Sequence, residues 1–424
     1  MTRTERPAAD HGDARHPTRH RLVIVGVLFV LVILSVIPWR SDTIYQGGVD
    51  AVVIGKAVIA LITLAGAVTL SVHTKVRIPI GLGPAGVLCG VAVIALLGAV
   101  VAGNGLATLV LVVRIMIAMT TVLLLLSSVR WEFALGGLMG AMALWAVVAA
   151  ATGVASFPEK GRLGGNIPEI HPNEVAGLAG APLVALVVWI LRTRTRPWRV
   201  ALAILLFTIV VASGSRTALL GVIIAIVVAF IVNGVHDRAV VYLMLLTLPV
   251  AYAIAFFTGV IEGLVTRSGS TDATSALDAR FDAWRVVLAW DWQSWQKWIG
   301  LGLSVKKIQV DIRWRDEQVL DSSWASLLAQ AGLIGTILVA GLLVWCLISA
   351  LASSSRRGAL LPLLVLLVLR STTESGLVDS AVPFILLLVI ATLLSHRSRH
   401  REEFSRPGHE YEDSRRRPVE RVLG

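Results

Sequence analysis

Charge is scarce in this chain. Asp, Glu, Lys and Arg together make up 15% of its 424 residues, against 56% hydrophobic residues. The mean hydropathy is +0.79, which excludes a soluble domain of this size and points to a polytopic membrane protein. Cysteine is nearly missing. Cys89 and Cys346 both lie inside apolar segments, so neither a disulfide framework nor a Cys-based metal site is suggested. There is no Walker-type phosphate loop, no Gly-rich dinucleotide fingerprint after a strand, and no HExxH or paired His/Cys spacing. No cofactor and no metal are therefore expected. The serines beside Arg216 have no nearby His to activate them. The two-halves repeat of many secondary transporters is not visible either. The net charge of +11 does not argue for nucleic acid, because much of the Lys/Arg surplus sits in tails and short loops, where it sets membrane orientation.

What is present is a series of apolar runs. Twelve spans are expected, at 22–37, 52–72, 85–102, 106–128, 132–155, 174–191, 199–215, 217–234, 239–258, 323–350, 358–371 and 376–395. The 199–234 pair is tightly connected and the 358–371 run is short, so eleven spans or a re-entrant turn remain open. The first run resembles a signal-peptide core, but Pro38-Trp39-Arg40 follows it instead of a small-residue cleavage site, so it reads as an uncleaved span. The fold class expected is an all-α integral membrane protein. It consists of a disordered arm at 1–21, spans one to nine within 22–258, a large loop at 259–322, spans ten to twelve within 323–395, and a disordered tail at 396–424.

With the N-terminus inside, every strongly basic short loop falls on the inner side, among them those carrying Arg192, Arg194, Arg196 and Arg199, and Arg356 with Arg357. Both termini are then cytoplasmic, in a multi-pass protein of the bacterial inner membrane. Two segments stand out on the outer side, 156–173 and the large loop, and long ordered loops tend to be functional. In the large loop Phe281, Trp284, Leu288, Trp292 and Trp295 recur at helical spacing. This predicts a helix lying in the membrane interface, whether as an aromatic anchor or as part of a site.

The outer face also gathers cations: Arg162, Arg216, Arg280, Arg285 and Arg370. Positive charge is ordinarily depleted there, and a phosphate or pyrophosphate suits arginine better than lysine. Local pairing with Asp278, Asp282, Glu374 or Asp379 is the competing explanation. Arg216 follows Ser213-Gly214-Ser215, a small turn between two spans that leaves backbone open to an anionic group. His171-Pro172-Asn173 opens a span, with Asn173 the expected helix cap. Asp321, before Ser322-Ser323-Trp324, is a cap by default and also a carboxylate at the level of the arginines, suited to act as a general base. Glu374 is a second candidate at that level.

Taken in order, these motifs resemble the O-antigen ligase and polymerase superfamily. They are Arg162-Leu-Gly-Gly, His171-Pro-Asn173, Ser213-Gly-Ser215-Arg216, Arg280-Phe-Asp-Ala-Trp284, Gly300-Leu-Gly302, and Asp321-Ser-Ser-Trp running on to Gly332-Leu-Ile-Gly335. The similarity covers roughly residues 150–395. It implies a membrane glycosyltransferase acting on the outer face, with a polyprenyl-pyrophosphate-linked glycan as donor and a glycan or glycolipid as acceptor. It implies no nucleotide sugar, obligatory metal or nucleic acid. On this reading the catalytic residues are Asp321, Arg216 and Arg280. Arg162, His171, Asn173, Ser215, Trp284, Arg285, Arg370 and Glu374 are substrate-binding candidates. The family's last motif usually opens with His-Asn, and register with Gly332 and Gly335 puts Asp321 and Ser322 at those positions. Two further readings stand beside this one: a transporter or flippase for an anionic lipid or solute, and a non-catalytic scaffold in cell-envelope glycan assembly.

Overall fold

A computed structural model describes residues 19–39, 51–74, 78–193, 195–234, 284–312 and 315–395. The span expected at 239–258, Arg280 and Phe281, the tail, and most of the N-terminal arm lie outside the described residues.

The protein is an all-α integral membrane protein. The helices, in chain order, are α1 (Arg19–Val36), α2 (Ala51–Val72), α3 (Gly83–Val101), α4 (Gly105–Ser128), α5 (Trp131–Gly153), a short α6 (Phe157–Lys160), α7 (Pro172–Arg192), α8 (Pro197–Ala212), α9 (Arg216–Asn233), a short α10 (Trp295–Ile299), α11 (Ser323–Ala352), α12 (Arg357–Ser371) and α13 (Val382–Ser395). Among the described residues, eight helices are long and apolar enough to cross a membrane. The shorter α8, α12 and α13 coincide with three further expected spans. Two small antiparallel hairpins decorate one end: β1 (Gly165–Asn166) with β2 (Glu169–Ile170), and β3 (Lys307–Ile312) with β4 (Arg315–Val319).

The burial pattern is that of a chain solvated by lipid. On α2 the buried residues are Lys56, Thr63, Ala67 and Ser71, while Ile54, Val58, Leu61, Ile62 and Val68 are exposed. Lipid tails are as apolar as Leu, so large side chains gain little by turning inward, and small or polar ones make the interhelical contacts. Lys56 shows the polar part of this: its ammonium donates to the carbonyl of Ile37, 2.7 Å away, at the end of α1. Helix α7 is the hub. It is buried on all sides from Val175 to Val184, and it packs on α5, α8, α9 and α12. Helix α13 is enclosed from Val382 to Leu394.

One helix is broken for a reason. In α11 Gly332 adopts φ 65° and ψ −167°, a region essentially reserved for glycine. The break frees two carbonyls, and the chain following α10 fills them: Leu301 N–H donates to Ala329 O at 2.8 Å and Gly302 N–H to Gln330 O at 2.9 Å. Backbone meets backbone here. A Cβ on Gly332 would lie 2.3 Å from the Trp298 carbonyl. Irregular backbone at membrane depth is tolerated when protein covers it and its polar groups are paired, and both conditions are met. The Gly300-Leu-Gly302 and Gly332 motifs are two halves of this one contact.

The interfacial helix expected from the tryptophan spacing is interrupted. The chain is helical at 284–288 and again in α10, with a turn between. Asp291 makes the turn: its carboxylate accepts from Gln293 N–H at 3.1 Å and its carbonyl accepts from Ser294 N–H at 3.0 Å. Such local bonds compete with the helical ladder. The buried face is accordingly Val287 with half-buried Trp284, packed on Ala325, Leu328 and Ala329 of α11. Leu288 and Trp292 are exposed.

Candidate active site

The candidate residues lie around the starts of α7, α9 and α11, which share one end of the bundle. Helix α7 is preceded by Pro172 as its first residue, so the cap falls on His171, not on Asn173: the imidazole Nδ1 accepts from Asn173 N–H at 3.2 Å. Asn173 is thereby freed to point its amide elsewhere. Helix α11 is capped by Ser322, whose hydroxyl accepts from Trp324 N–H at 3.3 Å. The cap expected at Asp321 is displaced by one residue, and Asp321 stands half-buried at the joint between β4 and α11, its N–H donating to Val319 O at 3.1 Å. Helix α9 begins differently. Its cap position, buried Ser215, gives the first turn no side-chain bond, so the amides of that turn keep their capacity for an anion. Arg216 is the first residue of this helix and is exposed. Among the described residues its side chain has no hydrogen-bond or ion-pair partner.

A continuous chain of hydrogen bonds links these starts. Arg162, from the loop after α6, donates through Nε to Ser213 O at 3.0 Å, on the turn that carries Arg216. Through Nη2 it donates to Asn173 Oδ1 at 2.6 Å. The Asn173 amide nitrogen donates in turn to Glu374 Oε1 at 2.7 Å. The backbone carbonyl of Glu374 accepts from Ser323, from N–H at 3.1 Å and from Oγ at 2.6 Å, two residues beyond Asp321. A planar guanidinium with several donors in fixed directions can hold two acceptors at once, and lysine cannot reproduce that. Leu163 N–H bonding to Ala212 O at 2.9 Å fixes the same loop to the end of α8.

Arg370, the penultimate residue of α12, is 8% exposed. Its Nη2 donates to the backbone carbonyl of Asn173 at 3.1 Å. Gly177, one turn along α7, makes room: a Cβ there would fall 1.7 Å from Arg370 Nη1. Arg370 therefore lies against α7 and holds Asn173 from below. Glu174, half-buried beside it, feels the charges of Arg370 and Lys56. Of the remaining candidates, Trp284 is half-buried and Arg285 exposed on the 284–288 turn; Arg280 lies outside the described residues.

One pair escaped the sequence reading. Lys306, just before β3, forms an ion pair with Asp379, just before α13, and Arg114 in α4 adds its charge to the same carboxylate. Asp379 had been weighed as a partner for the outer arginines. Nothing in spacing joins positions 306 and 379, and Lys306 is one of three lysines in its loop, so the sequence carried no signal for the pair.

The arrangement supplies an exposed arginine over an open helix start, a carboxylate at a second helix start, and a rigid hydrogen-bonded frame joining them. Such a set can bind a phosphorylated group, stabilise charge on it as a bond breaks, and accept a proton. No curated protein matches the chain. The family model for O-antigen ligase matches residues 201–340, which hold Arg216, Trp284, Asp321 and the Gly332 break, while Arg162, Asn173, Arg370 and Glu374 brace that stretch from outside it. The similarity of this chain to the O-antigen ligase family lies in residues 201–340.

Proposed function

We propose that the protein is a membrane glycosyltransferase that moves a glycan from a polyprenyl pyrophosphate to the hydroxyl of an acceptor sugar on the outer face. The observation that carries this reading is the bonded frame from the Ser213 carbonyl through Arg162, Asn173 and Glu374 to Ser323. It fixes the turn bearing Arg216 relative to the helix start beside Asp321. The Asp321 carboxylate takes the proton of the acceptor hydroxyl, and the oxygen attacks the anomeric carbon of the donor sugar. The bond from that carbon to the phosphate oxygen breaks, and polyprenyl pyrophosphate leaves with the electron pair. Arg216, together with the first-turn amides of α9, stabilises the charge that grows on the leaving group. Arg280 and Arg285 are further candidates for the same phosphates, and Trp284 for the start of the lipid tail. Both termini are then cytoplasmic, and the loops at 156–173 and 259–322 face outward.

The test pairs site variants with glycan analysis in a strain lacking the protein. Arg216→Ala should reduce transfer by roughly a hundredfold or more, the scale of losing one donor to a developing oxyanion. Asp321→Asn should cost about as much, within the range for a positioned general base. Full activity in both variants, at unchanged membrane levels, would sink the mechanism. In the deletion strain, single repeat units left on lipid identify a polymerase, and full-length polymer left on lipid identifies a ligase. An unchanged glycan pool, with passage of an anionic lipid across vesicles that contain no acceptor, would instead favour a transporter.

A further inference from the structure

At the opposite end of the bundle lies a second feature that the transfer reaction does not use. A groove of about 850 Å³ opens between α1, α5, α7 and α8. Its floor is the glycine face of α5: at Gly136 and Gly140 an added Cβ would meet nothing within 4 Å. Leucine and methionine wall it, and Pro182 of α7 and Leu206 of α8 close its deep end. Along α5 it runs from Trp131 to Ala143, about 18 Å at ~1.5 Å per residue. Half of a bilayer's hydrocarbon core is about 15 Å, so the groove spans the depth of one leaflet and ends there.

Its mouth has the composition of a membrane interface. Trp131, Trp189 and Trp198 line it together with Arg192. Trp189 and Trp198 meet edge to face with centroids 5.8 Å apart, and the buried Arg199 guanidinium lies 3.9 Å over the Trp189 ring. Arg196 caps α8 in the same turn and is exposed. Among the described residues lining the mouth, the one carboxylate is Glu132, 3.3 Å from Arg130. The described rim is therefore cationic, with Glu132 already paired.

We propose that this groove binds a glycerophospholipid of the adjacent leaflet. One acyl chain lies along the α5 glycine face, and a net-anionic phosphodiester headgroup rests at Arg192 and Arg196. Tryptophans belong at headgroup level, and basic side chains there attract anionic lipid. Depth argues for the same occupant: the groove takes a chain of ordinary acyl length and stops, whereas a polyprenyl chain is far longer. The proposal is independent of the transferase reading, because the groove shares no residue with the bonded frame.

The experiment is mass spectrometry of the full chain purified in detergent, followed by reconstitution with phosphatidylglycerol or phosphatidylcholine. Wild type should carry a bound glycerophospholipid and retain phosphatidylglycerol about thirtyfold better than phosphatidylcholine, the scale expected of two interfacial arginines. The variant Arg192→Gln/Arg196→Gln should keep its fold and lose that preference. Gly140→Leu should fill the groove and lose the lipid; if it does not fold, the arginine variant decides. Equal retention of both lipids, polyprenyl phosphate in place of a glycerophospholipid, no bound lipid, or unchanged retention in both variants overturns the proposal.

Discussion

Two arginines at this end of the molecule do opposite jobs, and their surroundings tell them apart. Arg162 spends its guanidinium on Ser213 O and Asn173 Oδ1. Hydrogen bonds involving a charged group are worth about 1.5–3 kcal/mol each, so Arg162→Ala should lower the thermal unfolding midpoint in detergent as well as transfer activity. Arg162→Lys should do nearly the same, since an ammonium cannot span both acceptors. Arg216 is exposed and, among the described residues, makes no such bonds. Arg216→Ala should change stability by no more than about 0.5 kcal/mol, leaving the midpoint nearly where it was, while transfer is lost. An equal loss of stability in the two variants would remove the distinction between brace and binding group. The sequence reading made both outer arginines contact substrate, Arg216 as catalytic and Arg162 as a binding candidate, and gave no sign that Arg162 is a brace. Which residue caps which helix was also beyond it by one or two positions: Pro172 shifts the cap from Asn173 to His171, and Ser322 takes the place expected of Asp321. A cap depends on where φ turns non-helical, and patterns of residue type locate that only to within a residue or two.

At the level of elements, the contact at Gly332 makes the sharpest prediction. Gly332→Ala would combine a backbone conformation worth about 1–3 kcal/mol of strain with a Cβ 2.3 Å from the Trp298 carbonyl. The expected result is a marked fall in unfolding midpoint and loss of the Leu301–Ala329 and Gly302–Gln330 bonds, visible as faster amide hydrogen exchange at 301 and 302. Normal exchange there would show that the break in α11 can close without consequence. The spans themselves were legible because a bilayer demands long apolar stretches. The interfacial helix was only half legible. Trp284, Leu288, Trp292 and Trp295 keep helical spacing, yet Asp291 bonds to its own neighbours and ends the run. Periodicity reports which side chains could share a face, not whether a local hydrogen bond stops the backbone first.

On the scale of the whole molecule, the two ends are chemically distinct. One carries the bonded frame, the Lys306–Asp379 pair and both hairpins; the other carries Trp131, Trp189, Trp198, Arg192 and Arg199. The expected orientation puts them on opposite sides of the membrane. In a background with Cys89 and Cys346 replaced by Ala, a cysteine at Glu159 should react with a membrane-impermeant maleimide added to intact cells. A cysteine at Ser355 should react only after permeabilisation, and the reverse pattern would invert the assigned topology. The layout of the site could not be read from the chain for the same reason it works: Arg162, Ser213, Glu374 and Ser323 are far apart in sequence and meet only because α7, α8, α11 and α12 bring their ends together. The backbone contact at Gly332 carries a consequence for biogenesis. A membrane chain is made and inserted from its N-terminus, so Leu301 and Gly302 are delivered before Ala329 and Gln330 exist to receive their amides. The loop can settle only after α11 has entered the bilayer and opened at Gly332. Completion of the site is thereby tied to insertion of the C-terminal helices, and a chain halted before α11 holds Arg216 with nothing to set it against.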